Sequence, residues 1–146
     1  MILKIFTDGG SKGNPGPSSI GGVFYLDKKK VFEFKKSIGI ATNNDAEYRA
    51  LIEALEILNP KSQILNSKKI KRIEFYSDSS LMVNQVRGLF KVKNGRIREY
   101  ILKIRSLEQG INLPVTYQYV SREQNQEADR LVNSVILPIN GKQINK

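Results

Sequence analysis

Neither histidine nor cysteine occurs among the 146 residues of this chain, and the two absences exclude a great deal of chemistry. Without cysteine there are no disulfides, no thiolate metal sites and no cysteine nucleophile, a composition compatible with a reducing, cytoplasmic compartment. Without histidine, zinc catalysis of the usual kind, a Ser-His-Asp triad and an imidazole general base are all unavailable. Acid–base work falls to carboxylates, lysine, tyrosine or a metal-activated water. Long apolar runs are missing too. None is long enough to span a bilayer, and the opening Met-Ile-Leu-Lys-Ile-Phe is too short and too broken for a signal peptide, so no membrane partner is expected. Acidic residues are scarce: 14 Asp plus Glu stand against 24 Lys plus Arg, a formal charge of +10. That excess favours binding to nucleic acid or to anionic surfaces through phosphate neutralisation.

The residues that remain, 40% hydrophobic and 26% charged, suit one globular domain with a packed core. We expect it to occupy residues 1–137, followed by a polar tail over 138–146, and to be a monomer. Against the basic background four carboxylates stand at the ends of apolar runs: Asp8 in ILKIFTDGG, Glu47 in NNDAEYRALIEAL, Asp78 in RIEFYSDSS and Asp129 in NQEADRLVNSVI. Two lie at strand ends and two in first turns of helices. Acids that converge repel one another unless they hold cations, and an all-oxygen site suits Mg²⁺ or Mn²⁺. Each also has a local alternative. Asp8 can open a turn before Gly9, Glu47 can form a capping box with Asn44, Asp78 can cap the next helix, and Asp129 can complement a helix dipole.

Periodicity predicts a strand over Ile2–Thr7, with Ile2, Lys4 and Phe6 on one face and Leu3, Ile5 and Thr7 on the other. The turn formers from Asp8 to Pro17 are expected to end it. Two strands, Gly21–Leu26 and Val31–Ile38, flank a lysine-rich hairpin tip. A helix over Asn44–Leu58 is stopped by Pro60 and followed by an irregular basic linker. The rest reads as a strand Ile70–Ser77, a helix Ser79–Arg87, a helix Arg96–Gln109, a strand Val115–Val120 and a helix Asn125–Leu137 halted by Pro138. Three strands followed by alternating helices and strands imply an α/β fold, an antiparallel meander joined to parallel strands with helices on the sheet.

TDGGSKGNPGP, NNDAEYRAL, YSDSS, KVKN and REQNQEADRL, in this order and spacing, resemble type 1 ribonuclease H over about Ile2 to Ile136. The resemblance implies a mixed five-stranded sheet in the order 3-2-1-4-5 with its first three strands antiparallel. It also implies cleavage of the RNA strand of an RNA–DNA hybrid, leaving a 3′-hydroxyl and a 5′-phosphate. Asp8, Glu47, Asp78 and Asp129 match the family's catalytic acids, which hold two Mg²⁺ (Mn²⁺ is possible) roughly 4 Å apart. Asp8 would be shared between the ions. Gly9, Gly10 and Ser11 would let backbone amides approach the RNA, and Asn14, Asn43 and Asn44 match positions that touch the hybrid. These residues also suit turns and caps. No helix follows the glycines and no Gly-Lys-Ser/Thr ending is present, so the loop is not a P-loop.

The sequence departs from the family in three places. A histidine common before the last helix is absent; Arg122 and Glu123 are candidates to take its place, Glu123 as a proton relay and Arg122 as a hybrid contact. Ser121 with Gln124 also reads there as a capping box. Ser80 replaces a glutamine that often follows the third acid. The long basic, Trp-bearing protrusion is missing, which leaves hybrid binding to Lys91, Lys93, Arg96 and the overall field. A junction-resolving or integrase-like nuclease of the same fold, or a non-catalytic hybrid-binding module, are the competing readings. Four retained acids argue against a pure binder of polyanions.

Overall fold

The computed structural model describes residues 1–59, 62–66 and 69–135. Strand β1 (Ile2–Ser11) lies at the centre of one sheet. It pairs antiparallel with β2 (Gly16–Leu26), which pairs antiparallel with β3 (Lys29–Ala41). On its other side β1 runs parallel to β4 (Arg72–Ser77), and β4 runs parallel to β5 (Val115–Tyr119). The order β3-β2-β1-β4-β5 is the expected one.

Alternation along β1 divides its side chains as the pattern predicted. Leu3, Ile5 and Thr7 are buried, while Ile2, Lys4 and Phe6 are half-buried. The buried face joins β2 and β4 to α1 (Asn43–Ile57), α3 (Ser80–Val86) and α4 (Gly95–Gln109) through a core that includes Phe24, Leu51, Leu55, Ile73, Phe75 and Ile104. Helix α5 (Gln126–Val135) packs on β1, β2 and β3 from the opposite side.

The glycines decide how near those helices come. A Cβ on Gly9 would lie 2.3 Å from the backbone of Ala46 in α1, and one on Gly21 would lie 2.9 Å from Leu131 in α5. Both helices therefore lie almost directly on the sheet at the level of Asp8. Gly9→Ala must push α1 away, and we expect it to cost stability at the upper end of about 1–3 kcal/mol in urea denaturation. Gly95, whose added Cβ meets nothing within 4 Å, provides the control: Gly95→Ala should be neutral or stabilising.

Several boundaries differ from the pattern. Strand β1 does not end at Thr7: Asp8 to Ser11 stay paired with Gly21 to Ser18, because β2 already begins at Gly16. Glycine weakens a strand, but a partner strand and two close-packed helices hold this one in place. The linker after α1 contains a short α2 (Gln63–Asn66). The last helix is entered through a 3-10 turn, Arg122–Asn125, in which Ser121 and Gln124 form the capping box. Pro60, Pro138 and the expected 138–146 tail lie outside the described residues. No helix among the described residues is long and apolar enough to cross a membrane.

Candidate active site

Four elements deliver one acid each to a cleft of about 380 Å³ lined by Asp8, Glu47, Asp78 and Asp129. Asp8 lies within β1, on the face toward α5. Glu47 is on the second turn of α1, brought in by the close approach of that helix to Gly9. Asp78 immediately follows β4, and Asp129 is in the first turn of α5. Carboxylate oxygens of Asp8, Glu47 and Asp78 all lie within 4.8 Å of one another. Asp129 lines the same cleft beside them, near enough for its carboxyl to raise that of Asp8.

The capping alternatives for Glu47 and Asp78 fail on geometry, whereas Asp129 does stand in the first turn of α5, where it also complements the helix dipole. Thr42, not Asn44, is the N-cap of α1, accepting from Asp45 N, so Glu47 belongs to no capping box. Ser79, not Asp78, caps α3 by accepting from Met82 N. Neither acid is needed where a cap would use it.

Electrostatics makes the cluster strained without a cation. Burial pushes the Asp8 carboxyl up to about 8, and the charges of Asp78 and Asp129 with the Asp129 hydrogen bond add to the rise. Burial likewise raises Glu47, aided by Asp8 and Asp78. Asp78 is raised by burial, against which the Arg122 charge works and to which Asp129 adds. One Glu47 oxygen, Oε1, is buried with no hydrogen-bond partner. An orphaned anionic acceptor among crowded oxygens fits a divalent cation, and the all-oxygen donor set suits Mg²⁺ or Mn²⁺.

The remaining candidates divide. Gly9, Gly10, Ser11, Asn43 and Arg122 line the cleft, and Lys12, Val132 and Asn133 join them without having been expected. Arg122 Nε stands 3.8 Å from Asp78 Oδ2. Glu123 does not reach this lining; it opens on a separate pocket with Phe6, Tyr25 and Gln126. Successive side chains of a 3-10 turn fan out by about 120°, so neighbours such as Arg122 and Glu123 face different ways.

Asn14, Asn44, Ser80, Lys91 and Lys93 also lie outside the lining. Asn14 Oδ1 accepts from Asn43 N (2.8 Å), and Asn43 Oδ1 accepts from Ser11 N (2.9 Å), so these asparagines lock the β1–β2 turn to the start of α1. The Ser11 amide is thereby taken. Ser80, Lys91 and Lys93 are exposed. Arg96 is bound to Asp45, donating to Oδ2 at 2.9 Å, while Tyr100 donates to Oδ1 at 3.2 Å. Burial raises the Asp45 carboxyl, but hydrogen bonds from Thr42 and Tyr100 and the Arg96 charge outweigh it, holding the group below its ordinary range. Arg96 thus fastens α4 to α1.

The sheet order, the crossing helices and the carboxylate cleft between β1, β4, α1 and α5 together define a ribonuclease H-like fold. Residues 6–135 match the reverse transcriptase-like protein family. LC11-RNase H1, solved in complex with an RNA/DNA hybrid, superposes with a TM-score of 0.83 at 38% identity, covering 92% of this chain and 96% of that one. RNase H1 from the halophilic archaeon Halobacterium salinarum gives 0.80 at 34% identity, covering 92% and 96%. A bifunctional protein of Mycobacterium tuberculosis is 36% identical over 140 residues; the match takes in 93% of this chain but 36% of that longer protein. The chain belongs to the type 1 ribonuclease H family.

Proposed function

We propose that the chain hydrolyses the RNA strand of RNA–DNA hybrids at a divalent-cation site made by Asp8, Glu47, Asp78 and Asp129. The observation that carries this reading is the meeting of three buried or half-buried carboxylates within 4.8 Å in a protein of net charge +10. A protein that only bound polyanions would gain from losing those charges. Two Mg²⁺ or Mn²⁺ ions held there would supply charge neutralisation and an activated water for phosphodiester hydrolysis that leaves a 3′-hydroxyl and a 5′-phosphate.

The chain's own residues position the substrate. Gly9 and Gly10 present bare main chain to the cleft, the missing Gly9 side chain being the one that would collide with α1 and the Gly10 one the one that would meet Val132. Asn43 and Lys12 stand on its wall, where they can meet 2′-hydroxyls and phosphates. Arg122 is the cation from the last loop that faces the acids, so it has the better geometry of the two candidates to hold a phosphate beside Asp78. The RNA/DNA hybrid bound to the similar LC11-RNase H1 supports the choice of substrate.

The test uses duplexes labelled on either strand: RNA–DNA, RNA–RNA and DNA–DNA, each with Mg²⁺ or chelator. The expected result is Mg²⁺-dependent cutting of the hybrid's RNA strand. Binding without cutting would favour the hybrid-binding module, and cutting of DNA strands would favour a junction- or integrase-like nuclease.

Salt dependence tests the electrostatic part of the reading. Lys91 and Lys93 are exposed on the loop before α4. Converting both to Gln should weaken hybrid affinity and lower the slope of log affinity against log salt by up to about 2, because each phosphate contact releases roughly one counterion. Cleavage at saturating hybrid should hold. An unchanged slope in fluorescence anisotropy would move the binding surface elsewhere.

A further inference from the structure

Strands β1 and β4 carry Asp8 and Asp78, yet their parallel pairing ends at Phe6 and Tyr76, before either aspartate is reached. Beyond that pair β1 continues along β2, while β4 ends at Ser77 and its chain turns into α3. No strand pairing therefore fixes the separation of the two acids. A side chain fills that gap. Asn125, 1% exposed at the end of the 3-10 turn, donates from Nδ2 to the Thr7 carbonyl at 2.9 Å, across 118 residues of sequence. Thr7 immediately precedes Asp8. The same side chain stands beside the Asp78 carboxylate, where as a donor it works against the upward shift of that acid. Four residues further on is Asp129.

The other half of the amide makes the argument stronger. Asn125 Oδ1 is buried and has no hydrogen-bond partner. Leaving a buried acceptor unpaired is costly, so the amide is oriented by what its nitrogen does. The Ser121–Gln124 capping box fixes the turn that delivers it.

We propose that Asn125 is a positioning residue: its amide takes over where the β1–β4 pairing stops and sets the spacing of Asp8 and Asp78 for a divalent cation. This rests on reading the carboxylates as a cation site. Asn125 itself touches neither the cation nor the hybrid; it acts through the two aspartates. Residues that orient metal ligands in this way typically govern metal affinity by about 10- to 100-fold.

The experiment measures Mn²⁺ binding by titration calorimetry on wild type, Asn125→Asp and Asn125→Leu, alongside urea denaturation and the Mg²⁺ dependence of cleavage. Asn125→Asp replaces the donor with an acceptor against two acceptors; Asn125→Leu keeps the branching and the number of heavy atoms and removes both the donor and the orphaned oxygen. We expect both to fold cooperatively, to bind Mn²⁺ about 10- to 100-fold more weakly, and to need correspondingly more Mg²⁺. The rate at saturating Mg²⁺ should stay within a few-fold of wild type. If wild type fails to bind Mn²⁺, the cation-site reading falls and takes this inference with it. If wild type binds but folded variants bind equally well, only the inference about Asn125 falls. Loss of cooperative folding in both variants, with or without Mn²⁺, would show a general structural role and overturn it as well.

Discussion

Asp78→Asn and Asp8→Asn are each expected to lower the single-turnover cleavage rate on the order of a thousandfold, a loss of roughly 4 kcal/mol of transition-state stabilisation. Each change keeps the shape of the side chain and one acceptor oxygen but removes a negative charge. In this cleft the charge is what matters. Asp8, Glu47 and Asp78 bring their oxygens within 4.8 Å, so each is a large share of the field that would hold a cation. Affinity for the hybrid in chelator should persist or tighten, because one source of repulsion toward phosphate is gone. Pre-steady-state cleavage of an end-labelled RNA strand gives the rate, and anisotropy in chelator gives the affinity. Cleavage at the wild-type rate by either variant would mean that the acids serve the fold alone.

The second large effect is on the stability of the metal-free protein. Burial first, and then the neighbouring Asp78 and Asp129, raise the Asp8 carboxyl to about 8. The folded protein thus keeps a proton that the unfolded chain has released above its ordinary carboxyl pKa. Where the folded state binds more protons, stability falls as pH rises. The contribution is therefore fully present below the unfolded value and is lost as pH rises through the folded one. In chelator, unfolding free energy at about pH 5.5 should exceed that at about pH 8.5 on the order of 3 kcal/mol. Glu47, raised in the same direction, adds to the trend. Asp45 does not confuse it. Its lowered pKa gives stability that is present above the unfolded value and lost only as pH falls through the folded one, outside this window.

Mg²⁺ should reverse the loss, and most strongly at the higher pH, where the acids are ionised and the cation relieves their repulsion. Asp8→Asn should flatten the pH dependence and stabilise the metal-free protein near neutrality. Urea denaturation of wild type and variant, each with chelator and with Mg²⁺, measures all of these. A wild-type profile that is flat in chelator would show that the cluster carries no proton at neutral pH.

The sequence by itself determined the sheet and most of its helices. Alternation in Ile2–Thr7 assigned the two faces of β1 correctly, and 3.6-residue spacing found α1, with Ala50, Leu51, Ala54 and Leu55 buried as expected. Hydrophobic period is a local property, written in consecutive residues, so it can be read without the fold. The four acids were legible for the same reason. Each ends an apolar run in a chain short of negative charge.

What only the tertiary structure decided is what depends on contacts between distant segments. Glycine-rich sequence after Thr7 signals a turn; the strand continues because β2 and two helices, far along the chain, enclose it. Thr42 and Ser79 take the caps for which Asn44 and Asp78 were candidates, since a shift of one or two residues in a helix start is invisible to composition. Arg122 faces the acids and Glu123 does not because a 3-10 turn, fixed by Ser121 and Gln124, sets the direction of each side chain. Asn125 reads in the sequence as no more than the first residue of a helix. It donates to the Thr7 carbonyl 118 residues away and acts on the Asp78 carboxylate from 47 residues further along the chain, and no local pattern carries contacts of that length.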